Sequence, residues 1–204
     1  MIKLLKQYYA GTEDHCRRVD IATKLVLRML DEDDTVKDLA IKTVEEIWFQ
    51  ASSQSGVPKT RSATQSSTGQ DKGPLLSKVS VIMGVSANFK DRQSPFEDIL
   101  HRMISSQEAA SASRLRASYL EICEVLIDGL VDASDLPGFV SACGCCKGIV
   151  DIFRWQTVHN CVRTIYLFTT AYPSVLSGVN ASTLLPYLKN PTSVRFYCRK
   201  QHPS

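Results

Sequence analysis

Apolar residues recur at three- and four-residue steps along most of the chain, the period of an amphipathic helix. Between Glu13 and Leu30, Val19, Ala22, Val26, Met29 and Leu30 follow this step, and Arg17, Asp20, Lys24 and Arg28 keep it on another face. The acidic turn Asp31-Glu32-Asp33-Asp34 ends that segment. A second helix is predicted from Val36, Leu39, Ala40, Val44, Ile47 and Trp48. Asp33 or Asp34 is its expected N-cap, because a carboxylate accepts from free first-turn N–H groups and favours the positive end of the helix dipole. Leu75 to Gly84 is an apolar run that would pass for a strand alone; between helices it reads as helical. Ser94-Pro95-Phe96-Glu97 has the grammar of a helix start: Ser94 as N-cap, Pro95 at the first position, and Glu97 completing a capping box. Ser94-Pro95 also matches a minimal proline-directed phosphorylation site, but the full four-residue pattern favours the cap. Phe96, Ile99, Leu100, Met103 and Ile104 continue that helix. Ser105 to Ser113 reads as a polar joint. Leu115, Tyr119, Ile122, Val125, Leu126 and Leu130 mark another helix. Phe139 to Leu167 is mostly apolar and helical in pattern, ended by Tyr172-Pro173, and Ala181 to Leu188 suggests one more short helix.

This succession has no strand alternation, no Gly-rich phosphate loop and no βαβ signal. It predicts an all-α fold, an α-solenoid of antiparallel helix pairs. One stretch interrupts it. Residues 51–74 contain 17 Ser, Thr, Gln, Gly or Pro in 24 positions and no aromatic residue, too little apolar surface to offset the entropy of ordering. The expected organisation is a helix pair over 1–50, a flexible Ser/Thr/Gln-rich loop over 51–74, further helices over 75–190, and a divergent, disordered tail over 191–204.

Composition narrows the function classes. The chain has 204 residues, 44% hydrophobic and 22% charged, ordinary values for a globular domain. Its net charge of +3 is too small to mark a nucleic-acid binder by itself. The charge is uneven: residues 1–50 hold 8 basic and 10 acidic side chains, residues 96–136 hold 3 and 8, and residues 137–204 hold 7 and 1. No apolar run is long enough for a membrane span, and the opening residues lack the apolar core of a secretory signal. The seven cysteines are an odd number in a chain without an export signal, which favours reduced thiols in an intracellular protein. Cys143 and Cys146 have the spacing of half a zinc site, with His159 and Cys161 downstream, but the second pair does not fit zinc grammar. His15 beside Cys16 and His159 near Cys161 would be the bases for a thiol nucleophile, and adjacency in sequence does not orient either.

Asp33-x-x-Val36-Lys37-x-x-Ala40, followed by Val44, Ile47 and Trp48, resembles the second helix of a HEAT repeat. Asp33 caps, Val36 and Ala40 face a neighbouring helix, and Lys37 sits at the rim. The longer string from Leu25 to Ala40, with Thr43-Val44-Glu45-Glu46-Ile47-Trp48-Phe49, is similar to the larger subunit of the cohesin loader, the Nipped-B (adherin) family. Thr164 to Phe168, Ala171 to Leu176 and Leu185 to Leu188 also resemble that family, in the same order. The family's proteins are far longer than this chain, and Ser193 to Ser204 does not look like family sequence, so a fragment from the HEAT-repeat region is expected.

The resemblance implies a nuclear, chromatin-associated scaffold that supports loading of the cohesin ring onto DNA and sister chromatid cohesion. Its implied partners are cohesin's ATPase heads and kleisin, DNA, and the smaller loader subunit. It implies no catalytic site, no cofactor, no metal, no membrane and no small-molecule substrate. Arg17, Lys24 and Arg28 are the candidate basic face for DNA or a partner; the alternative is a solvated face with Asp20 as internal partner. Competing readings are another HEAT scaffold, such as a condensin subunit or transport receptor, and a small thiol- or zinc-dependent protein.

Overall fold

The computed structural model describes residues 1–49, 73–89, 94–105, 109–131 and 150–177. These form α1 (Ile2–Gly11), α2 (His15–Val26) running into a 3₁₀ turn (Leu27–Leu30), α3 (Asp34–Trp48), α4 (Gly73–Asn88), α5 (Pro95–Ser105), α6 (Ala109–Val131), and α7 (Val150–Ala171) followed by a second 3₁₀ turn (Pro173–Ser177). The described residues are all-helical, with no strand among them. Residues 51–72 of the expected loop, Cys143 to Cys146, the helix expected at 181–188 and the tail from 191 lie outside the described residues.

Helix boundaries follow local chemistry. The Asp14 carboxylate accepts from the N–H groups of Cys16 (2.9 Å) and Arg17 (3.3 Å), so α2 starts at His15 rather than at Glu13. The continuous helix expected to Leu30 tightens to 3₁₀ at Leu27, as last turns do when free carbonyls seek closer donors. Asp33 caps α3, accepting from the Thr35 N–H (2.8 Å) and hydroxyl (2.6 Å). The Glu97 N–H donates to Ser94 Oγ at 3.3 Å, with Pro95 as the first residue of α5. Two boundaries move outward from the expected ones: α4 takes in Gly73 and Pro74, and α6 begins at Ala109, within the polar stretch read as a joint. The small residues Ala109 to Ala112 are good or neutral helix formers, and a buried Ala112 draws the first turn into the packing.

The most extensive helix contacts join elements that are not adjacent in the chain, α2 with α4 and α7 with both α4 and α5. The first helix lies against α2 and α3, which pack on each other. Helix α4 lies against α2 on one side and α6 and α7 on the other; α5 bridges the 3₁₀ turn at Leu27–Leu30 and α3 to α7. This is consistent with an α-solenoid, in which each layer touches mainly the next. Helices α4 and α5 share little surface with each other, and α7 lies against both.

The pattern of α4 now has a physical reason. Val79, Ser80, Val81, Ile82 and Met83 are consecutive and all buried, followed by Val85 and Ser86. A helix flanked on both sides needs no polar stripe, so its hydrophobic pattern loses the helical period and imitates a strand. Its approach to α2 is close at Gly84, where a Cβ would lie 2.6 Å from Val19 Cγ2. At its C-terminal end the Arg163 guanidinium, from α7, donates to the carbonyls of Ser86 (3.3 Å) and Phe89. A cation at the negative end of a helix dipole satisfies carbonyls that have no partner within the helix.

A chain of rings ties the layers together. Trp48, at the end of α3, meets Phe49 (6.2 Å between centroids) and Phe96 of α5 (5.8 Å), both edge-on. Phe96 stacks with Phe89 just after α4 (6.3 Å), and Phe49 reaches Tyr119 of α6 (5.2 Å). Tyr119 meets Phe168 of α7 edge-on at 4.7 Å, and its hydroxyl donates to the Leu100 carbonyl at 3.2 Å. Trp48, Phe96, Tyr119 and Phe168 are among the largest fully buried side chains. Complete burial of a side chain such as Phe96 or Phe168 contributes about 1.5–3 kcal/mol, and each ring pair adds about 0.5–1.5 kcal/mol.

Two stability outcomes follow. Gly84→Ala forces a methyl against the stiff, β-branched Val19 and is expected to lower unfolding free energy by about 1–3 kcal/mol in urea melts. Adding Val19→Ala recovers part of that loss, because the space reopens; no recovery would show that the close approach is not the cause. Arg163→Met removes the charged donor from the end of α4 and is expected to cost about 1.5–3 kcal/mol in the same assay.

Candidate functional site

The candidate surface is the outward face of α2 with the turn that joins it to α3. Arg17, Lys24 and Arg28 lie along it, and each has a carboxylate beside it. Arg17 Nε is 3.5 Å from Asp14 Oδ2, Lys24 Nζ is 2.7 Å from Asp20 Oδ2, and Arg28 Nη1 is 3.7 Å from Asp31 Oδ2. The i,i+3 and i,i+4 spacings that put basic residues on one face also bring their acidic neighbours into reach. The 3₁₀ winding changes the phase of Arg28, which pairs forward with Asp31 at the turn. The face is therefore a ladder of ion pairs, and an anionic partner would have to exchange with carboxylates already in place.

The residues of the HEAT-like motif occupy one side and one end of α3. Asp33 is the N-cap, and Thr35 hydrogen bonds hold its carboxyl below the usual carboxylate range. The Lys37 ammonium does the same for Asp34, which it contacts at 2.9 Å. Val36 is half-buried, Ala40 is wholly buried, and Trp48 closes the helix in the ring chain. The stripe shifts slightly from the expected one: Leu39 is 40% exposed, and Ile41 is buried in its place. Ser94 is buried where it caps α5 with the Glu97 N–H as donor.

Sequence reasoning missed the groups that hold α1. The Arg18 guanidinium lies 5.7 Å from the Tyr9 ring centroid, and its Nε donates to the Thr12 carbonyl at 2.6 Å. Lys6 pairs with Glu46 of α3. Burial pushes the Tyr9 phenol up, and the Trp48 indole N–H and Arg18 pull the other way. The indole is directed at Tyr9 without completing a hydrogen bond, and Trp48 Nε1 has no bonded partner among the described residues. Nothing local marks these pairs, because their members are up to 40 residues apart.

The described thiols are poorly suited to nucleophilic or metal chemistry. Cys123 and Cys161 are buried and free. Burial, with a smaller contribution from Glu124, pushes the Cys123 thiol up to about 12. Burial and the neighbouring Cys123 push Cys161 up as well, and its Sγ donates to the Leu126 carbonyl at 3.4 Å. A thiol held protonated is neither nucleophile nor metal ligand. Cys16 is exposed, but the neighbouring His15 ring faces Ser80 Oγ at 3.4 Å, across the α2–α4 contact. His159 is exposed on α7. Among the described residues no group of three or more His, Cys, Asp or Glu could hold a metal ion. Among them, too, no helix is long and apolar enough to cross a membrane.

Two curated proteins are similar to this chain over nearly all of it. Sister chromatid cohesion protein mis4 of Schizosaccharomyces pombe is 26% identical over 202 residues, 95% of this chain. Nipped-B-like protein B of Danio rerio is 24% identical over 191 residues, 92% of this chain. The chain is thus similar to a sister chromatid cohesion protein and to a Nipped-B-like protein. It spans 11% of the length of mis4 and 6% of that of Nipped-B-like protein B. No family model matches it, and no solved structure does. The likeness to Nipped-B/adherin proteins covers the helices on which the quoted blocks lie, Leu25 to Phe49 on α2 and α3 and Thr164 to Leu176 on α7 and its turn.

The N-cap of α3 gives a pH test. Because the Asp33 carboxyl is held below its unfolded value, its stabilisation is complete above about pH 4, the ordinary aspartate range. It is lost as pH falls through the lowered folded value. Asp33→Asn keeps a capping acceptor and removes the titration, so its melting temperature should fall less steeply with acid than that of the parent chain. Identical acid limbs would remove Asp33 from the account.

Proposed function

We propose that this chain is a non-catalytic scaffold segment of a cohesin-loader-like protein. It binds cohesin and chromatin in the nucleus, supporting the loading of the cohesin ring onto DNA and sister chromatid cohesion. The observation that carries this reading is the likeness to mis4 and Nipped-B-like protein B across more than nine-tenths of the chain. The all-helical architecture agrees with it, since stacked helices offer extended faces and no preformed pocket chemistry is required. The helices are read as HEAT-type antiparallel pairs. The proposed partners are the ATPase heads and kleisin of cohesin, DNA, and the smaller loader subunit. No cofactor and no small-molecule substrate enter this reading.

Contact through the α2 face would work by exchange of ions. Phosphates or acidic side chains replace Asp14, Asp20 and Asp31 beside Arg17, Lys24 and Arg28, so binding is modest, dependent on salt and indifferent to base sequence. The test is retention of purified kleisin, ATPase heads and duplex DNA on the immobilised chain. Saturable retention of at least one cohesin component is expected. Replacing Arg17, Lys24 and Arg28 together by Gln should weaken DNA retention and flatten its log–log salt dependence by up to about 0.9 per lost contact. Retention of neither cohesin nor DNA by a folded chain would overturn the reading.

A further inference from the structure

We draw no further inference here: the strongest candidate, the outward face of α6 with its exposed carboxylates Glu121, Glu124 and Asp128, is a surface cluster of acidic side chains, and nothing in the structure shows what covers it.

Discussion

The interior depends on one chain of aromatic contacts, from Phe89 through Phe96, Trp48, Phe49 and Tyr119 to Phe168. These six rings come from the ends of α3 and α4, from α5, and from α6 and α7, so every layer beyond α2 contributes. Edge-on geometry sets the angle at three of the five contacts, and angle is what a stack of smooth aliphatic helices lacks. The Tyr119 hydroxyl adds a directional bond to the Leu100 carbonyl of α5. Burial raises the Tyr119 phenol well above its usual value, so it remains a neutral donor at physiological pH.

Around that chain, α4 is the helix through which the two ends communicate. Its buried run from Val79 to Met83 leaves no polar face, its glycine admits α2, and a guanidinium from α7 closes its last turn. Stability is graded outward from there. Helix α3 is capped by Asp33 and anchored by Trp48, whereas α1 packs only Ile2, Leu5 and Tyr9 against the core.

The candidate face shows how an electrostatic reading changes between sequence and structure. Arg17, Lys24 and Arg28 at helical spacing promise a basic surface. The same spacing delivers Asp14, Asp20 and Asp31 to them, within 4 Å in each case. The face is then a set of ion pairs rather than an open positive field. The thiols change likewise: Cys123 and Cys161 are held protonated by burial, which no spacing rule could report.

Much was legible in the residues alone where the physics is local. The caps at Asp33 and Ser94, the end of α7 before Pro173, and the stripes of α3, α5 and α6 follow from helical period and first-turn chemistry, which act over four residues or fewer. The likeness of Leu25 to Phe49 and of Thr164 to Leu176 to Nipped-B/adherin sequence was legible for a related reason. Helix faces that pack on neighbours restrict residue type at each position. The identity of α4 as a helix was not decided locally, because burial on both sides erases the amphipathic period. The start of α6 at Ala109, the Arg163 cap and the ring chain were decided by the tertiary structure. Each depends on a group brought from another helix, as with the 74 residues that separate Arg163 from Phe89. Over such a distance only the packed fold sets which side chain meets which carbonyl.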